Sequence, residues 1–177
     1  MARQKQEMLQ IHKEILQILI EEHKQDASIF FTMRKTDRNN KLKEGYWFLG
    51  NDKYLQVSFW NGNDEFQKIA RVGFFVEKRK EGWLSNVYLT CKDRPDLDPF
   101  FSDLSTKLGG FKPTSKHLWK KQYSSFNYLG NLKEFMNHDK VIIDEVIKND
   151  RNSPISIIDQ KVFCNNLEKV MNFRNQL

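Results

Sequence analysis

Residues 45–91, GYWFLGNDKYLQVSFWNGNDEFQKIARVGFFVEKRKEGWLSNVYLTC, decide the fold. Aromatic and β-branched residues recur there in short runs separated by turn formers, the composition of an antiparallel meander. Across residues 53–60, Leu55, Val57 and Phe59 alternate with Gln56, Ser58 and Trp60, which predicts one buried pleat face and one that stays amphipathic. Asn61-Gly62-Asn63-Asp64 is expected to turn the chain. Residues 70–77 and 84–91 supply two further strands. The segment joining them, Lys78-Arg79-Lys80-Glu81-Gly82, suits a hairpin and is too short for a parallel crossover.

Upstream, residues 3–25 place Met8, Ile11, Ile15, Ile18, Leu19 and Glu22 at helical spacing, so an amphipathic helix is expected to cover the sheet, with His12 and His23 solvated on it. Residues 28–35 have strand composition, residues 36–43 read as a polar loop, and residues 45–50 read as a strand. Asn51-Asp52-Lys53 then reverses the chain into Tyr54.

Downstream, Asp98 as N-cap and Pro99 at the first helical position open a helix through Phe101, Leu104 and Leu108, and Gly109-Gly110 closes it. Residues 111–123 read as one more strand, exposed on one side. Leu132, Phe135 and Met136 mark a short helix, and Val141, Ile142, Val146 and Ile147 a second with Asp139 as its cap. After a linker at residues 149–154, a last helix over residues 156–173 carries Phe163, Leu167, Val170 and Met171 on one side. The expected architecture is α+β: a largely antiparallel sheet flanked by helices over residues 1–130, then a C-terminal helical segment over residues 131–177.

Of the 177 residues, 39% are hydrophobic and 29% charged with both signs present, which predicts a folded chain rather than a disordered one. No apolar run reaches the roughly 18–20 residues that span a bilayer, and no signal-peptide apolar stretch follows the polar N-terminus. A cytoplasmic protein with no membrane partner is expected. Cys91 and Cys164 lie on apolar stretches without metal-ligand spacing and are expected as reduced core residues.

Signatures of catalysis are missing. The sequence has no phosphate-binding glycine loop, no HExxH, no GxSxG and no CxxC, so no catalytic residue, metal ligand or cofactor is assigned. Pro95-Asp96 and Asp159-Gln160-Lys161 approach a nuclease pattern, yet they fall in a loop and at a helix start, where acidic residues serve as caps. His117 and His138 suit phosphate contact or capping as well as proton transfer.

Basic residues interleaved with aromatics remain. Arg34, Lys35, Arg38, Lys41 and Lys43 surround one sheet end, Lys78, Arg79 and Lys80 form a hairpin tip, and Lys116, Lys120 and Lys121 bracket Trp119. Residues 104–133 contain no Asp or Glu but six lysines: Lys107, Lys112, Lys116, Lys120, Lys121 and Lys133. With a formal net charge of +6, this pattern favours a polyanion. Lysine and arginine neutralise phosphates, and exposed aromatics stack on unpaired or extruded bases. Trp60, Trp83, Trp119, Tyr54 and Tyr88 are the stacking candidates, Trp60 first because its pleat neighbours Gln56 and Ser58 are polar. DNA binding is therefore expected. The alternative is a protein-interaction or regulatory module with no nucleic acid, and a third reading is an enzyme whose site is assembled from ordinary residues.

Three phrases carry a family resemblance: Lys43-Glu44-Gly45-Tyr46-Trp47-Phe48 with Gly50, then Tyr54-Leu55-Gln56-Val57-Ser58-Phe59-Trp60, and later Asn131-Leu132-Lys133-Glu134-Phe135 followed by Ile142-Ile143-Asp144-Glu145. Together they resemble the N-terminal regions of bacterial McrB-like AAA+ NTPases, the motor subunits of modification-dependent restriction systems. The resemblance implies a DNA-recognition module for a restriction or anti-phage defence NTPase, in which the domain reads DNA that is often modified. It further implies an AAA+ motor domain in the same chain and a separate nuclease subunit. The C-terminal helix, which lacks a stop signal, is expected to lead into that motor.

Overall fold

The computed structural model describes residues 1–61 and 71–177. Of the expected turn at Asn61-Gly62-Asn63-Asp64, all but Asn61 lies outside the described residues, as does the start of the run at Ala70. The α+β reading holds: six strands form one antiparallel sheet in the order β1-β2-β4-β5-β7-β6, and two more form a small antiparallel pair, β3-β8. In chain order the strands are β1 Leu49–Asn51, β2 Tyr54–Val57, β3 Trp60–Asn61, β4 Val72–Arg79, β5 Gly82–Thr90, β6 Lys112–Ser115, β7 Leu118–Gln122 and β8 Ser156–Ile157. The helices are α1 Ala2–Gln25, α2 Lys41–Glu44, α3 Asp98–Leu108, α4 Tyr128–Asn137, α5 Asp139–Asn149 and α6 Gln160–Asn175. No helix among the described residues is long and apolar enough to cross a membrane.

Local sequence accounts for the hairpins. β1 and β2 meet across Asp52-Lys53, and the tip is held by Lys53 N–H donating to Asn51 Oδ1 at 2.8 Å. Gly50 is required here: its φ is +137°, and a Cβ would come within 2.1 Å of the Tyr54 carbonyl oxygen. β4 and β5 pair from Val72↔Leu89 to Arg79↔Gly82, leaving only Lys80-Glu81 as the loop. Residues 111–123 form two strands rather than one. The chain reverses at Lys116-His117, with His117 in the left-handed region (φ 62°) and a register shift between Pro113 and Ser115.

Two expected strands are largely absent, because side chains take the place of ladder bonds. In residues 28–35 Thr32 N–H donates to the Ser58 carbonyl (2.8 Å), but Ser58 N–H returns to Thr32 Oγ1 rather than to a carbonyl (2.9 Å). In residues 45–50 only the end pairs. The Tyr46 carbonyl accepts from Arg34 Nε, and Phe48 N–H donates to His12 Nδ1.

The core lies between the sheet and the helices. α1 buries Met8, Ile11, His12, Ile15, Leu16, Leu19 and Ile20. Against them stand Leu55 and Val57 of β2, Val72, Phe74 and Val76 of β4, and Val87 and Leu89 of β5. The boundary expected at residue 130 falls inside α4, and Leu132, Phe135, Ile143, Phe163 and Val170 join this same core. α4 opens on an N-cap that sequence reading overlooked, Asn127, whose side chain accepts from Gly130 N–H at 3.0 Å.

Several expectations about single residues are corrected. His12 is fully buried rather than solvated, and burial drops its pKa from 6.5 to about 3, with Arg34 and Lys41 adding to the shift. His23 is half-buried and its Nδ1 lies 2.9 Å from the Ile29 carbonyl oxygen. Cys91 is in the core, but Cys164 is exposed on α6. Asp98 and Asp139 do not cap their helices; their carboxylates pair with His117, and with Lys121 and His138. The last helix begins at Gln160 behind an Asp159 N-cap, because Ser156 and Ile157 pair with β3.

Candidate nucleic-acid interface

Residues facing each other across an antiparallel sheet share a side. One side carries Leu55, Val57, Val72, Phe74, Val76, Val87, Leu89 and Trp119, all packed with the helices. The other, outer side includes three adjacent cross-strand rows. Tyr54, Glu77 and Leu84 form the first, Gln56, Phe75, Asn86 and Gln122 the second, and Gly73, Tyr88, Lys120 and Lys112 the third. Phe75 is only 4% exposed, yet it stands outside the cluster formed by the helices and the inner face.

The outer side is aromatic at its centre and cationic at the β7–β6 edge. The Tyr54 and Phe75 rings lie nearly parallel with centroids 6.2 Å apart, and Phe75 meets Tyr88 edge to face at 4.9 Å. Glu77 accepts from Asn86 Nδ2 at 2.6 Å and from the Tyr88 hydroxyl at 3.1 Å, and Arg79 Nη2 lies 3.4 Å from it. Burial, reinforced by Glu77, pushes the Tyr88 phenol up to about 12, so it remains a neutral donor. Lys120 Nζ stands 6.0 Å from the centre of the Tyr88 ring.

Beside Tyr88 the row ends in two lysines directly opposite each other, Lys112 and Lys120. Lys112 is exposed, Lys120 half-buried, and neither has a carboxylate partner among the described residues. Like charges directly opposed across strands are destabilising. Lys116, exposed in the turn that joins these strands, adds a third cation to the same hairpin.

The remaining predicted contacts are placed differently. Trp60 is 1% exposed and donates through Nε1 to Asp144 Oδ1 at 2.8 Å, so its indole is a core anchor and not an accessible platform. Residues 55–60 bury both pleat faces, Gln56 and Ser58 included. Trp119 is also buried, against the helices. Trp83 is half-buried on the inner side, donating to Glu7 Oε2 at 3.0 Å with Lys78 Nζ 5.1 Å from its ring. That indole N–H, assisted by Lys78, lowers the pKa of the Glu7 carboxyl.

Four of the other predicted cations already have carboxylates. Lys41 lies 3.8 Å from Glu44, Lys43 3.5 Å from Asp37, Lys78 3.5 Å from Glu7, and Lys121 3.0 Å from the fully buried Asp139. Arg34 spends its guanidinium on the carbonyls of Tyr46 and Gly50. Lys35, Arg38 and Lys80 have no ion pair among the described residues, but they lie off the sheet's outer rows. Of the predicted residues, the structure brings together Tyr54, Tyr88, Arg79 and Lys120. Sequence reading left Phe75, Glu77 and Asn86 out of the site, and placed Lys112 only within the acid-free run. Recognising Lys116-His117 as a turn would have set Lys112 opposite Lys120. No family model, no curated protein and no solved structure matches the chain.

Proposed function

We propose that the outer side of the six-stranded sheet binds nucleic acid, with Lys112, Lys116 and Lys120 on phosphates and the half-buried rings of Tyr88 and Tyr54 against a base. The observation that carries this reading is the opposed pair Lys112 and Lys120. A phosphate between them turns a repulsion into two charge-assisted contacts, and releases counterions as it binds. Tyr88, one position along the same row, sits where a base attached to that phosphate would reach. The resemblance to McrB-like N-terminal regions favours DNA as the polymer, an AAA+ motor in the same polypeptide and a separate nuclease subunit. On that reading the domain is the recognition module of a defence NTPase.

The test is binding of labelled single- and double-stranded DNA to the full chain at graded salt. Affinity should be measurable at low ionic strength and fall log-linearly with salt, and Lys112→Glu with Lys120→Glu should lower it for every sequence and flatten the slope. No binding at low ionic strength would refute the proposal. A phosphate-binding loop encoded beyond Leu177 would bear separately on the motor-domain part.

A further inference from the structure

A second cluster of chemistry lies where the end of β5, the start of α3 and the β6–β7 turn converge. Cys91, just past β5, is fully buried, and its Sγ lies 4.0 Å from Asp98 Oδ1. His117 Nδ1 lies 2.6 Å from the same oxygen, and the ligand atoms of all three residues fall within 4.8 Å of one another. His117 is held there by its backbone: it occupies the left-handed region at φ 62°, and its carbonyl accepts from Cys91 N–H at 3.1 Å. A non-glycine residue at positive φ is uncommon and costs free energy, so its side-chain direction is set against a local penalty. The side chains are 41% exposed at Asp98 and 17% at His117, which leaves one side of the cluster open to water.

We propose that Cys91 Sγ, Asp98 Oδ1 and His117 Nδ1 bind a divalent cation of the zinc class, with water as the fourth ligand. A thiolate, an imidazole and a carboxylate form a donor set for a borderline-soft tetrahedral ion, and a poor one for Mg²⁺ or Ca²⁺. Tetrahedral zinc holds such ligand atoms about 3.3–3.6 Å apart, so the His117–Asp98 pair opens by under about 1 Å, while the thiol closes on Asp98 by about half an ångström and on His117 by up to about 1.3 Å. Binding displaces the thiol proton to solvent and requires a bare lone pair at His117 Nδ1, with the ring's remaining proton on Nε2. The neighbouring cation Arg71 is already paired with Asp93 at 3.0 Å. The ion would pin the β6–β7 turn, and with it the lysine hairpin, to β5 and α3. This inference rests on a different set of residues from the nucleic-acid reading and survives the failure of that reading.

The test uses the full chain with Cys164→Ser, which leaves Cys91 as its one thiol. After treatment with a chelator the protein is titrated with Co²⁺, then with Zn²⁺. A thiolate-to-cobalt charge-transfer band should saturate at one equivalent and be bleached by Zn²⁺. His117→Asn keeps a residue that tolerates positive φ, and Asp98→Asn keeps the shape of the carboxyl; each should weaken Co²⁺ and Zn²⁺ binding by more than about tenfold while far-ultraviolet dichroism stays unchanged. Absence of the band in excess Co²⁺ would overturn the proposal, and so would an unchanged affinity in either variant.

Discussion

The two sides of the six-stranded sheet are built from the same strands and differ in what they spend their side chains on. The inner side packs Leu55, Phe74, Val76, Val87 and Leu89 against helices, and the ion pair at its margin, Lys121 with Asp139, is closed. The outer side keeps Tyr54, Phe75 and Tyr88 out of that core and ends in two cations facing each other. One side is settled by contacts within the chain. The other carries an electrostatic cost that a bound anion would remove.

Substitutions can break or sharpen that contrast. The largest effect belongs to the inner region: Trp60→Ala should lower unfolding free energy by about 3–5 kcal/mol in denaturant titration, because it opens a cavity and strips Asp144 of its indole donor. Its effect on nucleic-acid binding should follow the loss of fold alone.

The second effect, of a few kcal/mol, is an acid sensitivity housed in His12. This residue is neutral in the fold down to about pH 3 but protonates near 6.5 in the unfolded chain. The unfolded state then binds the extra proton throughout that window. Stability contributed by the neutral imidazole is complete above pH 6.5 and is lost as pH falls, by up to about 1.4 kcal/mol per unit. Melting curves from pH 7 to 4 should show a steep decline, and His12→Leu should flatten it.

On the outer side, Tyr88→Ala should cost about 1–3 kcal/mol of nucleic-acid affinity, measured by anisotropy, if a base stacks there. A smaller loss of stability accompanies the loss of its bond to Glu77. The smallest effect is the most diagnostic. Lys112→Glu places opposite charges across β6 and β7, so the melting temperature should rise, by about 0.2–1 kcal/mol of stability, while DNA affinity falls. A variant that loses both, or neither, would remove the distinction between the two sides.

How legible this was in the sequence differed by region for physical reasons. The β4–β5 hairpin was readable to within two residues, because its strands are rich in aromatic and β-branched residues and its loop is short and charged. Residues 28–35 and 45–50 were misread because Thr32, Arg34 and His12 satisfy backbone groups that composition assigns to neighbouring strands. The β6–β7 hairpin was hidden because histidine, not glycine, occupies the left-handed turn position. Trp60 defeated the period-two argument since the chain leaves the main sheet there. It pairs instead with Ile157, a contact that no local pattern announces. At the candidate site, charge bias pointed to the β6–β7 hairpin, but which lysines lack carboxylates depends on partners distant in the sequence, such as Asp139 for Lys121.

The pairing of β3 with β8 has a consequence for how the chain is made. Trp60 meets Ile157 and Phe135, so its surroundings cannot be complete until the chain through residue 157 has left the ribosome. Hairpins such as β4–β5 need only neighbouring residues and form early, while the indole stays wet until α4, α5 and β8 arrive. Its environment should therefore report the docking of β8, and nascent chains stalled before residue 157 should still expose it to quencher.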